Sequence, residues 1–185
     1  SQIVQYNAQK NHGTSILRGI MTKTALLMLD DGTCFEGEAC GACREAAGEV
    51  VFTTGMAGYQ ETLTDPSYYG QIVVFTAAHI GNYGATANDD EFPDPRASGA
   101  VFHDLFTEAD QGGFPHWRAE ESLNARLARA GLTSITGLDT RALTLHIREH
   151  GARNGIISAL DLDRPSLLRR ARELPSMQGH ERARH

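Results

Sequence analysis

Chemistry in this chain could begin with three cysteines and eight histidines. Cys40 and Cys43 form a C-x-x-C, a spacing that can bind a metal or run thiol–disulfide exchange. Structural zinc needs four ligands, and no second C-x-x-C completes the set. A redox pair usually opens a helix, whose N-terminus acidifies the thiol. Here the pair precedes Arg44-Glu45-Ala46-Ala47-Gly48, which reads as a turn. A thiol or metal role and a plain structural role both stay open. Cys34 sits inside an apolar segment and reads as core filler. His146 and His150 share a helix face at i, i+4, a spacing that can bind zinc, but Ile147 stands where H-E-x-x-H needs Glu. The bland reading sets them near a helix C-terminus, where the dipole favours imidazolium. His12, His180 and His185 lie in the tails.

Residues Asn88 to Pro95 hold four acids and two prolines. Clustered carboxylates suit a hard cation, but the prolines and the lack of EF-hand spacing favour a solvated loop. No G-x-S-x-G or G-x-C-x-G elbow presents a nucleophile, and no P-loop or G-x-G-x-x-G cradles a phosphate. The densest unusual stretch is Thr53 to Tyr68, TTGMAGYQETLTDPSY. It combines two glycines, a Tyr-Gln-Glu triplet and an Asp-Pro-Ser-Tyr turn between two expected strands. Loops held by a rigid sheet often carry binding groups, and a plain connection is the competing reading.

The elements that must position these residues follow from patterning. Ala25–Leu29 and Thr33–Cys40 flank Asp31-Gly32, a hairpin signal because Gly accepts positive φ. Glu49–Thr53 and Gln71–Thr76 are β-branched runs that predict buried strands. Gly99–Phe102 is a weaker strand candidate. Glu120–Ala130 predicts a helix with Leu123 and Leu127 on one face, ending at Gly131. Ser134–Thr136 is a short strand candidate. Asp139 is placed to cap the next helix, and Leu138 and Leu143 have the spacing of a hydrophobic staple. That helix turns Leu143 and Ile147 inward and ends at Gly151. Gly155–Ser158 returns as a strand, and a last helix near Ser166–Glu173 is opened by Pro165 and closed by Pro175. A β-rich first half followed by α, β and α predicts a mixed α/β layered domain.

Composition sets the outer bounds. The 185 residues carry 17 Lys and Arg against 23 Asp and Glu, a net charge of −6, with 41% apolar residues. That balance suits a folded domain and argues against non-specific nucleic-acid binding, which needs a basic face. No apolar run approaches the roughly 20 residues of a membrane helix. Three cysteines make no disulfide scaffold, so a reducing compartment, the cytoplasm, is expected. Residues 1–20 contain no Asp or Glu and end before Met21, which reads like a start. They are expected to be a leader or upstream extension, and the polar tail 176–185 an exposed linker.

Several stretches then resemble one family. GEVVFTTGMAGYQE (Gly48–Glu61), LTDPSY (Leu63–Tyr68), HIGNYG (His79–Gly84), LDTRALT (Leu138–Thr144) and REHGARNG (Arg148–Gly155) stand in order and in register with the N-terminal domain of the carbamoyl-phosphate synthetase small chain. The resemblance covers about Thr24 to Leu160. It implies a three-layer β/β/α "swivelling" domain at 21–160, with 161–185 a helix and linker toward a glutaminase domain. It implies a glutamine amidotransferase subunit of a ligase complex that serves pyrimidine and arginine biosynthesis. The small chain hydrolyses L-glutamine and passes ammonia to a large chain. Its nucleophile is a Cys on a G-x-C-x-G elbow in the C-terminal domain, and none of Cys34, Cys40 or Cys43 matches it. The resemblance thus implies no catalytic residue, metal or cofactor in this chain, and no glutaminase activity from it alone. It does imply that Ser67, of Asp-Pro-Ser-Tyr, contacts bound glutamine. A hydroxyl both donates and accepts, as an amide substrate requires. The implied partners are the large chain and a glutaminase domain, covalent or in trans. The competing readings are a thiol or metal protein using Cys40 and Cys43, and a stand-alone interaction domain.

Overall fold

The Asp30–Thr33 turn sets the register of the first hairpin. Gly32 takes φ 97°, and the Leu29 N–H donates to the Thr33 carbonyl at 2.9 Å. Strand β2 (Thr24–Leu29) thereby pairs antiparallel with β3 (Cys34–Gly41), Leu27 opposite Phe35. The computed structural model describes residues 5–7, 23–55, 58–81, 95–105 and 122–175. The other strands are β1 (Gln5–Asn7), β4 (Glu45–Thr53), β5 (Ile72–Phe75), β6 (His79–Ile80), β7 (Gly99–Val101), β8 (Asp104–Leu105), β9 (Thr133–Thr136) and β10 (Arg153–Ser158). The helices are α1 (Tyr59–Thr64), α2 (Leu123–Arg129), α3 (Thr140–His150) and α4 (Arg164–Glu173).

The main sheet runs β1-β3-β2-β10-β4-β5-β7-β9, and β9 also pairs with β3. That pairing closes seven strands into a barrel. One wall, β4-β5-β7-β9, is parallel. The other, β3-β2-β10, is antiparallel. The mixed α/β class and the late helices agree with the sequence reading; closure of the sheet was not foreseen in it.

Alternation along the strands sorts the apolar side chains into three layers. Leu27, Phe35, Val50, Ile72, Val74, Val101, Ile135 and Ile157 come from all seven barrel strands and fill its interior. Leu143 and Ile147 of α3 join them, so α3 plugs the barrel end where the parallel strands finish. Outside the parallel wall, Val73, Phe75, Ala100 and Phe102 pack with Tyr59 and Leu63 of α1 and Leu123 and Leu127 of α2. Outside the antiparallel wall, Leu26, Met28, Cys34 and Ile156 pack with Leu167, Leu168 and Ala171 of α4.

The helix signals acted as expected. Ser122, Asp139 and Asp163 cap α2, α3 and α4, each accepting a backbone N–H three residues on. Leu138 and Leu143 are both buried in one cluster, as a staple requires. Two readings need correction. Arg44–Gly48 is not a turn: Glu45–Gly48 open β4, because β10 pairs along Glu45–Val50 and extends it. The stretch after Thr53 contains α1, six residues too short to show a period, entered through Gly58 at φ 73°.

α4 is also held electrostatically. Arg170 donates to both oxygens of Glu45 at 2.8 and 3.0 Å, and the buried Ser158 hydroxyl donates to the same carboxylate at 2.6 Å. Arg170, foremost, holds the Glu45 carboxyl below the usual range.

At the plugged end, Asp31 accepts the Thr33 N–H at 2.8 Å and meets His146 Nε2 at 2.6 Å. Burial by itself raises the Asp31 pKa; the Thr33 N–H and the His146 contact outweigh it and hold the carboxyl low. A depressed carboxylate contributes stability that is full above its unfolded-state pKa and is lost as pH falls through the folded-state value. Asp31→Asn should therefore cost about 1 kcal/mol at neutral pH and flatten the acid limb of the stability curve below about pH 4. Denaturant melts of both proteins from pH 7 to pH 3 measure this; parallel curves would refute it.

Candidate functional site

Asp65-Pro66-Ser67-Tyr68 folds as a short 3-10 turn whose shape follows from its residues. The Asp65 side chain accepts the Ser67 N–H at 2.8 Å, and Pro66 presets φ for the first helical position. The N–H groups of Tyr68 and Tyr69 then donate to Asp65 and Pro66 carbonyls at 3.1 Å each. Ser67 is exposed, Tyr68 half-buried against the outer apolar layer, and Tyr69 69% exposed.

The turn is anchored on both sides. Before it, Tyr59 and Leu63 bury α1 against the parallel wall. The Leu63 carbonyl accepts the N–H groups of Arg96 and Ala97 at 2.9 and 3.2 Å. After it, the Gly70 N–H donates to Arg96 O at 3.1 Å, and Gln71 O accepts from Ser98 at 2.8 Å. The Gln71 side chain reaches Glu49 on β4 at 2.9 Å. A hydroxyl is thus presented to solvent from a rigid frame, at the barrel end where β5, β7 and β9 begin.

Among the described residues, the other sequence candidates do not converge on it. His146 and His150 lie on α3 at the opposite end. Their rings stack at 4.5 Å, but His146 is committed to Asp31, and His150 Nδ1 lies 3.1 Å from the His146 carbonyl. Cys40 is buried under α2 among Leu127 and Leu132, and burial pushes its thiol far up, the opposite of what exchange chemistry needs. Cys43 is exposed, and all three cysteines are free. Cys34 is core filler, as expected. Among the described residues no group of three metal-binding side chains exists, and no helix is long and apolar enough to cross a membrane. The acidic stretch 88–94 lies outside the described residues, as do Met56, Ala57 and Asn82–Gly84.

Sequence reasoning missed the polar side-chain groupings: Asp31 with His146 and Arg153, Glu45 with Arg170, and the exposed pair His79 and Asp104 at 3.1 Å. Each joins residues far apart in the chain, so no local spacing announces it.

Comparison with known proteins places these features. The family model for the carbamoyl-phosphate synthase small chain, CPSase domain, matches residues 27–157. The carbamoyl phosphate synthase small chain of Pectobacterium atrosepticum is 49% identical over 164 residues, covering 88% of this chain and 42% of the relative. That of Thermosynechococcus vestitus is 48% identical over 163 residues, covering 88% and 41%. That of Aquifex aeolicus is 46% identical over 157 residues, covering 85% and 41%. The chain thus spans about two fifths of the length of these curated relatives. A barrel built on the matched residues, carrying the Asp-Pro-Ser-Tyr turn on its surface, belongs to the carbamoyl-phosphate synthase small chain family and corresponds to its CPSase domain.

Proposed function

We propose that this domain docks the large chain of a carbamoyl-phosphate synthase and lends Ser67 to a glutamine site that a glutaminase domain completes. The observation that carries this is the exposed Ser67, set on an Asp-capped turn that two neighbouring segments pin down. Amide hydrolysis needs an activated nucleophile. Cys40 is buried with a raised pKa, and neither Cys34 nor Cys43 sits on a nucleophile elbow, so the attack on the amide belongs to the glutaminase domain. Ser67 orients: its oxygen can accept from the substrate's N–H groups and its proton can go to a carboxylate or carbonyl. The assembly is a cytoplasmic ligase that supplies carbamoyl phosphate to pyrimidine and arginine synthesis. The three-layer β/β/α swivelling fold over residues 21–160 belongs to the same proposal; the apolar layers inside the barrel and outside its two walls support it.

Ser67→Ala in the complete small chain, assembled with its large chain, tests the role. One lost hydrogen bond is worth about 1 kcal/mol, so KM for glutamine should rise about fivefold. Synthesis from free ammonia, which bypasses glutamine, should be unchanged. Equal KM for glutamine in both proteins would refute the role of Ser67. Failure of this domain to associate with the large chain would refute the docking.

A further inference from the structure

β3 has two neighbours along one of its edges, and only one belongs to the barrel. β9 pairs with Glu38–Gly41. β1 pairs with the earlier residues, in parallel, with Gln5 opposite Cys34 and Asn7 opposite Glu36. The change of partner falls at Gly37, which is closely hemmed in. A Cβ there would lie 2.4 Å from the Thr136 carbonyl oxygen and 2.6 Å from Leu138 Cδ1. Past Thr136 the chain turns away into α3, so β9 cannot follow β3 further. The Cys34–Glu36 stretch therefore turns a row of backbone donors and acceptors to a side where the barrel supplies no strand. Such an edge is a template for strand addition.

We propose that the Cys34–Glu36 edge of β3 is a strand-accepting site, and that Gln5–Asn7 of the same chain occupies it as a displaceable strap. Geometry favours the cis arrangement. Asn7 ends opposite Glu36 and β2 starts with Thr24 opposite Glu38, on the two sides of β3 and at nearly the same level. The points to be joined are about 10 Å apart, two strand spacings. Residues 8–23 reach several times that distance when extended. A tether of this length holds the local strand concentration near the millimolar range, which is what allows three paired residues to persist. The site reads main chain and direction, so it fits any extended segment that can lie parallel to β3. A segment offering a longer ladder would displace the strap.

Hydrogen exchange of the full chain, followed peptide by peptide, tests this. Tyr6→Pro removes a ladder N–H and resists a strand interior. It should speed exchange in Cys34–Glu36 by about tenfold and leave Glu38–Gly41, which β9 covers, unchanged. A chain starting at Met21 should show the same loss, and a synthetic peptide of residues 2–10 at millimolar concentration should restore protection. Unchanged exchange in Tyr6→Pro would overturn the proposal, whether or not the shortened chain folds. Protection that rises with protein concentration, together with dimers in light scattering, would overturn the cis assignment.

Discussion

Gly48→Ala is expected to destabilise the domain by about 3 kcal/mol. The added Cβ would lie 2.1 Å from the Gly70 carbonyl oxygen and 3.0 Å from Ser98 Oγ. Neither β4 nor the Gly70 backbone can yield easily. β4 is paired on both sides, with β10 and β5. Gly70 is tied to Arg96 through its N–H. The clash also bears on function, because Gly70 closes the segment that carries Ser67. In the assembled enzyme, the fraction of Gly48→Ala that stays folded should show a raised KM for glutamine. Ala47→Ser, one residue earlier and exposed, should stay within about 0.5 kcal/mol. Denaturant unfolding of the three proteins decides it: equal midpoints for Gly48→Ala and the parent would remove the close-approach argument.

Leu143→Ala should cost about 3 kcal/mol by opening a cavity where α3 plugs the barrel. Leu143 is fully buried among side chains from the barrel strands. The closed wall cannot collapse around the void, because each strand is held by two neighbours. Leu145, two residues on, is 51% exposed. Leu145→Ala should therefore change stability by no more than about 0.5 kcal/mol. Thermal unfolding of the pair separates a plugging helix from one that merely lies on the barrel. Similar midpoints for the two variants would mean that α3 does not fill the interior.

The helices of the second half were legible because each carries a local signal. Asp139 caps α3 and Leu143 and Ile147 recur at helical spacing, so cap and buried face agree. The hairpin at Asp31-Gly32 was legible for the same reason, since one residue's backbone freedom announces the turn. β4 was cut short because Gly48 reads as a breaker, whereas it stands mid-strand to let another backbone approach. α1 was missed because six residues opened by a glycine carry no period. Ser67 was singled out only through a resemblance of motifs; the physics of Asp-Pro-Ser-Tyr alone predicts a turn and says nothing of glutamine.

What the amino-acid order determined by itself is therefore local: most of the longer strands and helices, where the helices are capped, and that no thiol here sits on a nucleophile elbow. Only the tertiary structure decided that the sheet closes, that α3 plugs it, that Asp31 meets His146, and that β3 keeps an edge for another strand. These contacts join residues far apart in the chain. Their free energy depends on several strands being in register together, and no window of neighbouring residues carries that information.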